Sequence, residues 1–424
     1  MNTLNQSEIA ASPRENIVDR FARSQLIKRL QKIPHGHLRI EQADEVYDFG
    51  VSKDSAEVSA TIVINDRSAF RDIAFGGSMG GAEAYMLGKW TTPNLVDLVR
   101  LMAINIDFLN QMDGSSFLVQ RVSDKLYHWF NRNTQIRSRE NIAAHYDLSN
   151  EFFALFLDPE MMYSAAIFPH AQAGLDEAAL HKLDVICRKL DLQPDDHLLE
   201  IGTGWGGLAL HAAQKYGCRV TTTTISREQY EAACARVQAE GLEQRITVLC
   251  EDYRNLQGSY DKLVSVEMIE AVGHEFYQQY FSICSSLLKD DGVMLLQAIT
   301  IPDQRYHYAR KSVDFIQRYI FPGGSLPGHE VIMTSVKKFT DMQMVGMQEI
   351  GEDYARTLEI WCQRFLGRVD AVRALGFDDI FIRMWHYYLC YCQGAFEERV
   401  IGTAQCLLAK PGWRGSQAAI SSAR

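Results

Sequence analysis

The sequence predicts an α/β protein, built on a doubly wound and mostly parallel sheet with helical insertions, preceded by a small α+β N-terminal domain. Three observations carry this. Leu198-Leu-Glu-Ile-Gly-Thr-Gly-Trp-Gly-Gly207 reads as a buried strand, a glycine turn and the first turn of a helix. From Ile142 onward, strand-like and helix-like patterns alternate, as they do in doubly wound sheets. Before that point the chain has short strands and one amphipathic helix, without alternation.

Each part follows in order. In residues 1–118, His37–Phe49 and Glu57–Asn65 read as short strands, with Asp54-Ser55 in the turn between them. Pro93–Gln111 reads as a helix with Leu95, Leu98, Val99, Met102 and Ile106 on one face. Residues 119–140 form a basic and aromatic linker: Arg121, Lys125, Arg132, Arg137 and Arg139 outweigh Asp124, and Trp129 and Phe130 are interleaved. The plainer reading is a solvated helix over a domain seam. The sharper one is interfacial, with basic groups on lipid headgroups and the two rings at the acyl boundary.

Residues 141–424 read as one large α/β domain. Strands are expected over His197–Ile201, Arg219–Thr223, Ile246–Cys250, Lys262–Val266 and Val293–Ile299, with helices over Trp205–Tyr216 and Ser226–Glu240. Pro302 opens a helical insertion that Phe321-Pro-Gly-Gly324 ends. Aromatic-rich helices over Tyr354–Leu375 and Asp378–Glu397 precede a last strand, Ala404–Lys410.

Composition narrows the function classes. The net charge of −10 argues against nucleic acid as a partner, while leaving a local membrane-binding patch open. The N-terminus lacks the apolar core of a signal peptide, and Arg100 and Asp107 interrupt the longest apolar run. Nine scattered cysteines without a C-x-x-C pair form neither a disulfide framework nor a zinc site. A cytoplasmic protein with free thiols is expected.

The glycine loop carries the first chemistry. Its spacing, Gly202-x-Gly204-x-Gly206-Gly207, departs from the dinucleotide G-x-G-x-x-G, and the next strand ends at Thr224 where an acid would hold a ribose. With Glu200 ahead, the E-x-G-x-G form is similar to the first motif of S-adenosylmethionine (SAM) methyltransferases. A tight turn without a ligand is the bland alternative. Thr224 and Gln229 are placed to bind the cofactor ribose, although Ser226-x-x-Gln229 is also a capping box. Asp252 could accept from an adenine amino group with Tyr253 alongside, or be a turn acid. Glu267 and Glu270 follow the fourth strand, at the end that faces a ligand crevice; one could simply favour a helix N-terminus.

Taken together, these segments resemble the cyclopropane-fatty-acyl-phospholipid synthase family over nearly all of the chain past Asn141. The motifs are His145-Tyr-Asp-Leu-Ser-Asn150, Met162-Tyr-Ser164, the glycine loop, Thr224-Ile-Ser-x-Glu-Gln229, Asp252-Tyr-Arg254, Glu267-Met-Ile-Glu-Ala-Val-Gly273, Asp314-Phe-Ile-x-x-Tyr-Ile-Phe-Pro-Gly323 and Gly394-Ala-Phe396. The resemblance implies a class I SAM-methyltransferase fold, Rossmann-like, and transfer of a SAM methyl to a cis double bond of a membrane phospholipid acyl chain. Proton loss then closes a cyclopropane ring, with bound bicarbonate as the base. Glu270, Tyr354 and Cys392 match the residues that hold it, and Tyr163, Ser164, Glu200, Gly202, Gly204, Gly206, Thr224, Gln229, Asp252 and Tyr253 fall on the cofactor side. Tyr387, Tyr388 and Phe321 would offer flat faces to the carbocation.

Two positions depart from many bacterial members: Ala165 stands where they carry Cys, and Gln297 where they carry His. Gln297 can donate a hydrogen bond to the anion site but cannot titrate. The resemblance further implies an unsaturated phospholipid partner, a peripheral position at the inner membrane face, and a homodimer through the first domain. Two other readings stand beside it: a sister lipid C-methyltransferase making methylene- or methyl-branched chains, the latter with a reductase partner, and a non-catalytic lipid- or SAM-binding protein.

Overall fold

The computed structural model describes residues 17–109 and 148–415. The basic linker with Trp129 and Phe130, and the start of the His145-Tyr-Asp motif, lie outside the described residues. The chain divides into two compact units. The first joins Met1–Tyr146 to Gly376–Glu398, and the second joins Asp147–Leu375 to Arg399–Arg424.

In the first unit, β1 (His37–Gln42), β2 (Glu45–Gly50), β3 (Ser59–Ile64) and β4 (Trp90–Thr91) form a sheet in the order β2-β1-β3-β4. The single strand expected over His37–Phe49 is a hairpin, because the chain reverses at Ala43, which takes a φ of 48°. A helix over Ser68–Met86 has no counterpart in the sequence reading, since Gly76, Gly77, Gly80 and Gly81 dilute its periodicity. It kinks at Gly77, and a Cβ on Gly80 would lie 2.0 Å from the Asp72 carbonyl oxygen. Asn94 caps the helix Leu95–Ile104 by accepting from the Val96 and Asp97 N–H groups.

The helix Asp379–Glu397 belongs to this first unit, which corrects its assignment to the 141–424 domain. Its backbone runs so close to the helix Leu95–Ile104 that a Cβ on Gly394 would lie 2.8 Å from Val99 Cγ1. Arg100 Nε donates to Glu398 at 2.7 Å, and Tyr85 Oη lies 2.7 Å from His386 Nδ1. An apolar helical period predicts burial, not which core receives the helix.

The second unit holds β5 (His197–Ile201), β6 (Arg219–Thr224), β7 (Ile246–Cys250), β8 (Tyr260–Val266), β9 (Leu288–Thr300), β10 (Gln343–Glu349) and β11 (Gly402–Ala409). Their order is β10-β11-β9-β8-β5-β6-β7, with β11 antiparallel between β9 and β10. Edge strand β10, absent from the sequence reading, is half exposed and bulged between Met344 and Gly346. The inner strands are buried on both faces. Leu199, Leu263 and Leu296 pack into one core, and Leu198, Val264 and Leu295 into the other. The chain runs outward from β5 through β6 to β7, then returns to β8 on the other side of β5. The carboxyl ends of β5 and β8 therefore flank a topological switch point, where such sheets bind ligands.

Candidate active site

The loop after β5 is shaped by positive φ angles, 102° at Gly202, 53° at Gly204 and 84° at Gly206. A Cβ on Gly204 would meet nothing within 4 Å, so the loop leaves open space there. On Gly207 it would lie 2.6 Å from the Glu160 carbonyl oxygen. Thr203 and Gly202 both donate backbone N–H bonds to the Thr223 carbonyl, which ties the loop to β6. These features fit a cofactor brought against the backbone.

Glu200 does not line that space. It is buried in the sheet, where the Thr222 hydroxyl donates to it at 2.6 Å, and Thr222 meets Thr203 at 2.7 Å. Burial pushes its carboxyl up to about 8, against the Thr222 bond and the Lys182 cation. Glu200 thus braces the loop from beneath. Thr224 and Gln229 do come together, with the Thr224 hydroxyl donating to Gln229 Oε1 at 2.9 Å. The capping box forms only by half. Ser226 accepts from the Gln229 N–H, but the Gln229 side chain is turned to Thr224. The Gln229 amide nitrogen keeps no partner among the described residues.

Asp252 is held by Arg254 through two side-chain bonds, at 2.9 and 2.6 Å, and Arg254 keeps its carboxyl below the usual range. Tyr253 is half-buried against Tyr280, at 5.6 Å between ring centres, and joins the core more than the crevice. Tyr163 enters a cluster of rings: Phe153 at 5.1 Å, Trp361 at 5.5 Å and Phe321 at 6.2 Å, with Phe153 also 5.2 Å from Trp205 of the glycine loop. Ser164 is buried and accepts from Lys182 Nζ at 2.7 Å.

Lys182 was missed in the sequence. It is fully buried, and burial pushes its amine down to about 8 while Glu267, Asp158 and Glu200 hold it up. Its helix, Leu175–Lys189, buries Leu175, Ala178, Ala179, Lys182 and Ile186. A lysine on that apolar stripe is the signal that could have been read.

The acids after β8 divide sharply. Glu267 takes a left-handed φ of 49° and is the hub of the site. Its Oε1 accepts from the Ala165 N–H at 2.9 Å and Gln297 Nε2 at 2.8 Å, and its Oε2 accepts from Tyr354 Oη at 2.8 Å. Gln297 is itself oriented by Gln405 Nε2, which donates to Gln297 Oε1 at 2.8 Å, and Lys189 Nζ donates to Gln405 at 2.7 Å. Glu270 accepts from the Ile299 N–H, and its Oε2 is buried with no partner among the described residues. Burial raises both carboxyls, and the Glu267 charge adds to the effect at Glu270, which reaches about 8. Sequence reasoning placed both acids at the crevice but gave the central part to Glu270. Cys392, Tyr387 and Tyr388 lie on the helix of the first unit.

The β5–β8 register shows how near the acids are to the glycine loop. Ile201 pairs with Ser265, and a Cβ on Gly202 would touch Met268 at 3.3 Å. The sheet order, the switch point and the loop make this a class I SAM-dependent methyltransferase. A family model described as mycolic acid cyclopropane synthetase matches residues 133–406, and the chain belongs to that family. It is similar to the tuberculostearic acid methyltransferase UfaA1 of Mycobacterium tuberculosis, 35% identical over 376 residues and 87% of each chain. It is also similar to the cyclopropane-fatty-acyl-phospholipid synthase of Escherichia coli K12, 35% identical over 353 residues, 83% of this chain and 88% of that one. Among solved structures, the cyclopropane synthase MmaA2 from Mycobacterium tuberculosis matches with a TM-score of 0.59 and 31% identity, over 64% of this chain and 98% of that chain. The mycolic acid cyclopropane synthase CmaA1, complexed with SAH and CTAB, matches at the same TM-score.

Proposed function

We propose that the chain is a phospholipid cyclopropane synthase, methylating a cis double bond of an unsaturated acyl chain with proton loss and ring closure. The observation that carries the reading is a half-buried acid pair, Glu267 and Glu270, beside a glycine loop and a wall of aromatic rings. SAM, when bound, supplies an electrophilic methyl group. An olefin is a poor nucleophile, so the site must position it and keep water away. Phe153, Tyr163 and Phe321, with Trp361 packed behind Tyr163, offer apolar faces that stabilise a cation without attacking it. An anionic base at this acid pair then receives the proton.

Such a substrate requires approach to a membrane surface, and the basic, aromatic residues 119–140 are the segment suited to it. No helix among the described residues is long and apolar enough to cross a membrane. The protein acts from the cytoplasmic side in this reading.

The breadth of the match to UfaA1 favours a second product, a methylene- or methyl-branched chain. Reduction to the methyl form needs an external reductant. The test is to incubate the protein with SAM and vesicles of unsaturated phospholipid, then analyse the fatty acid methyl esters. A gain of one methylene that resists hydrogenation marks the ring. The same gain with a reducible double bond marks the branched product. No gain, with SAM bound, would refute both.

A further inference from the structure

Two side chains that the resemblance places in or beside the bicarbonate cage, Gln297 and Tyr354, are already engaged. The Ala165 N–H, Gln297 and Tyr354 all converge on the Glu267 carboxylate, within 2.8–2.9 Å. A bicarbonate does not fit this arrangement. It would lose those donors and lie against a half-buried carboxylate of like charge.

We propose that the Glu267 carboxylate is the base of the reaction and takes the place of a bound bicarbonate. The inference rests on the methyl-transfer reading above. Three further observations support it. Glu267 keeps a φ of 49°, a backbone conformation that disfavours any residue but glycine and that persists where its surroundings enforce it. Its N–H donates to the Gln297 carbonyl at 2.8 Å, so backbone and side chain are both fixed against β9. And Met268, the next residue, backs onto Gly202, which sets Glu267 beside the cofactor loop.

A carboxylate offers about four acceptor positions, of which three are filled, so one is left for a proton. In the step, a C–H bond of the newly transferred methyl breaks. Its electron pair closes onto the cationic carbon and completes the ring, and the proton passes to Glu267, which becomes a neutral acid. Cation and carboxylate are neutralised together, and no oxidant or reductant is needed. In the branched reading a 1,2-hydride shift first moves the cation to the methylated carbon, and the methyl C–H pair then forms the methylene double bond as the proton passes to Glu267.

The test uses the full chain as wild type, Glu267→Gln and Glu267→Gly. Glycine accepts the positive φ, so that variant removes the carboxylate without backbone strain. Equilibrium dialysis with labelled bicarbonate, in the presence of S-adenosylhomocysteine, is read beside turnover on unsaturated phospholipid vesicles in bicarbonate-depleted and supplemented buffer. Wild type should retain no stoichiometric bicarbonate and turn over equally in both buffers. Glu267→Gln should bind SAM normally and lose about 10²-fold or more in turnover. Glu267→Gly should bind bicarbonate and regain part of its lost rate when it is added. Stoichiometric bicarbonate on the wild type, or full turnover by Glu267→Gln, would overturn the proposal. If no protein methylates vesicle lipid, the functional reading fails, and the dialysis still decides whether Glu267 occupies the anion position.

Discussion

Gln405 and Gln297 meet side chain to side chain at 2.8 Å inside the sheet, and this contact decides which end of the Gln297 amide faces Glu267. An amide can present either oxygen or nitrogen, and only the nitrogen suits a carboxylate. Gln405→Leu removes the constraint. Turnover should fall by about tenfold, the loss of one well-aligned hydrogen bond to a charged group, while SAM affinity stays unchanged in calorimetry. Unaltered turnover would mean that Gln297 needs no such support.

Tyr354→Phe deletes the hydroxyl that donates to Glu267 Oε2. The ring and its edge-on contact with Trp361, 6.2 Å between centres, can remain. The loss should appear in the maximal rate and not in SAM binding. A tighter or weaker SAM complex with a normal rate would place Tyr354 on the cofactor instead.

Lys182→Met tests the electrostatics. The Lys182 cation favours the ionised form of Glu267, whose carboxyl burial has raised. A base must be ionised to act, so the rate climbs with pH through the Glu267 titration. Removing the cation should move that acid limb to higher pH, costing more rate near neutrality than in alkaline buffer. A pH–rate profile with SAM in excess gives the answer, and an unmoved limb would contradict the assignment.

Glu200→Gln addresses stability. The folded carboxyl holds its proton to about 8, whereas the unfolded one releases it from 4.5. The folded state therefore binds more protons between those limits, and stability falls as pH rises across them, by up to about 1.4 kcal/mol per pH unit for one proton. Glutamine can still accept from Thr222 and never ionises. The melting temperature of the variant should gain on the wild type from pH 5 to 8. A constant gap would show that Glu200 is not protonated in the fold.

Gly204→Val should abolish SAM binding, since its side chain would enter the open space of the loop from a φ of 53°. Gly207→Ala should act differently, by destabilising the fold, because its Cβ meets the Glu160 carbonyl. Calorimetry and thermal melting separate the two, and retained SAM affinity in the valine variant would remove the loop from the cofactor site.

Much of this was readable from the chain. The β5 strand, glycine loop and alternating strands stand out because buried parallel strands are short, apolar and bounded by glycine. β10 was hidden because an edge strand alternates weakly and carries polar and flexible residues. The helix Ser68–Met86 was hidden by the glycines that let it kink. At the site, Glu267 and Glu270 were both visible, three residues apart. Which one gathers the donors depends on the left-handed backbone at Glu267, and no spacing rule reports that. Lys182 showed only as a lysine in an apolar row; its partner Ser164 is 18 residues away in sequence.

The chain crosses between its units more than once. The first unit is completed by the helix that ends at Glu397, and the sheet of the second by β11, which enters between β9 and β10 and ends at Ala409. A ribosome therefore delivers the missing piece of both units only after their other described elements have been made, and folding the first unit before the second during synthesis is denied to this protein. Until then β9 and β10 present unpaired edges, the surfaces on which chaperones act and aggregation starts. Nascent chains arrested at residue 375 should be degraded by protease throughout, and those with residue 409 well clear of the exit tunnel should resist. A stable first unit in the shorter chain would show that its early strands and helices suffice alone.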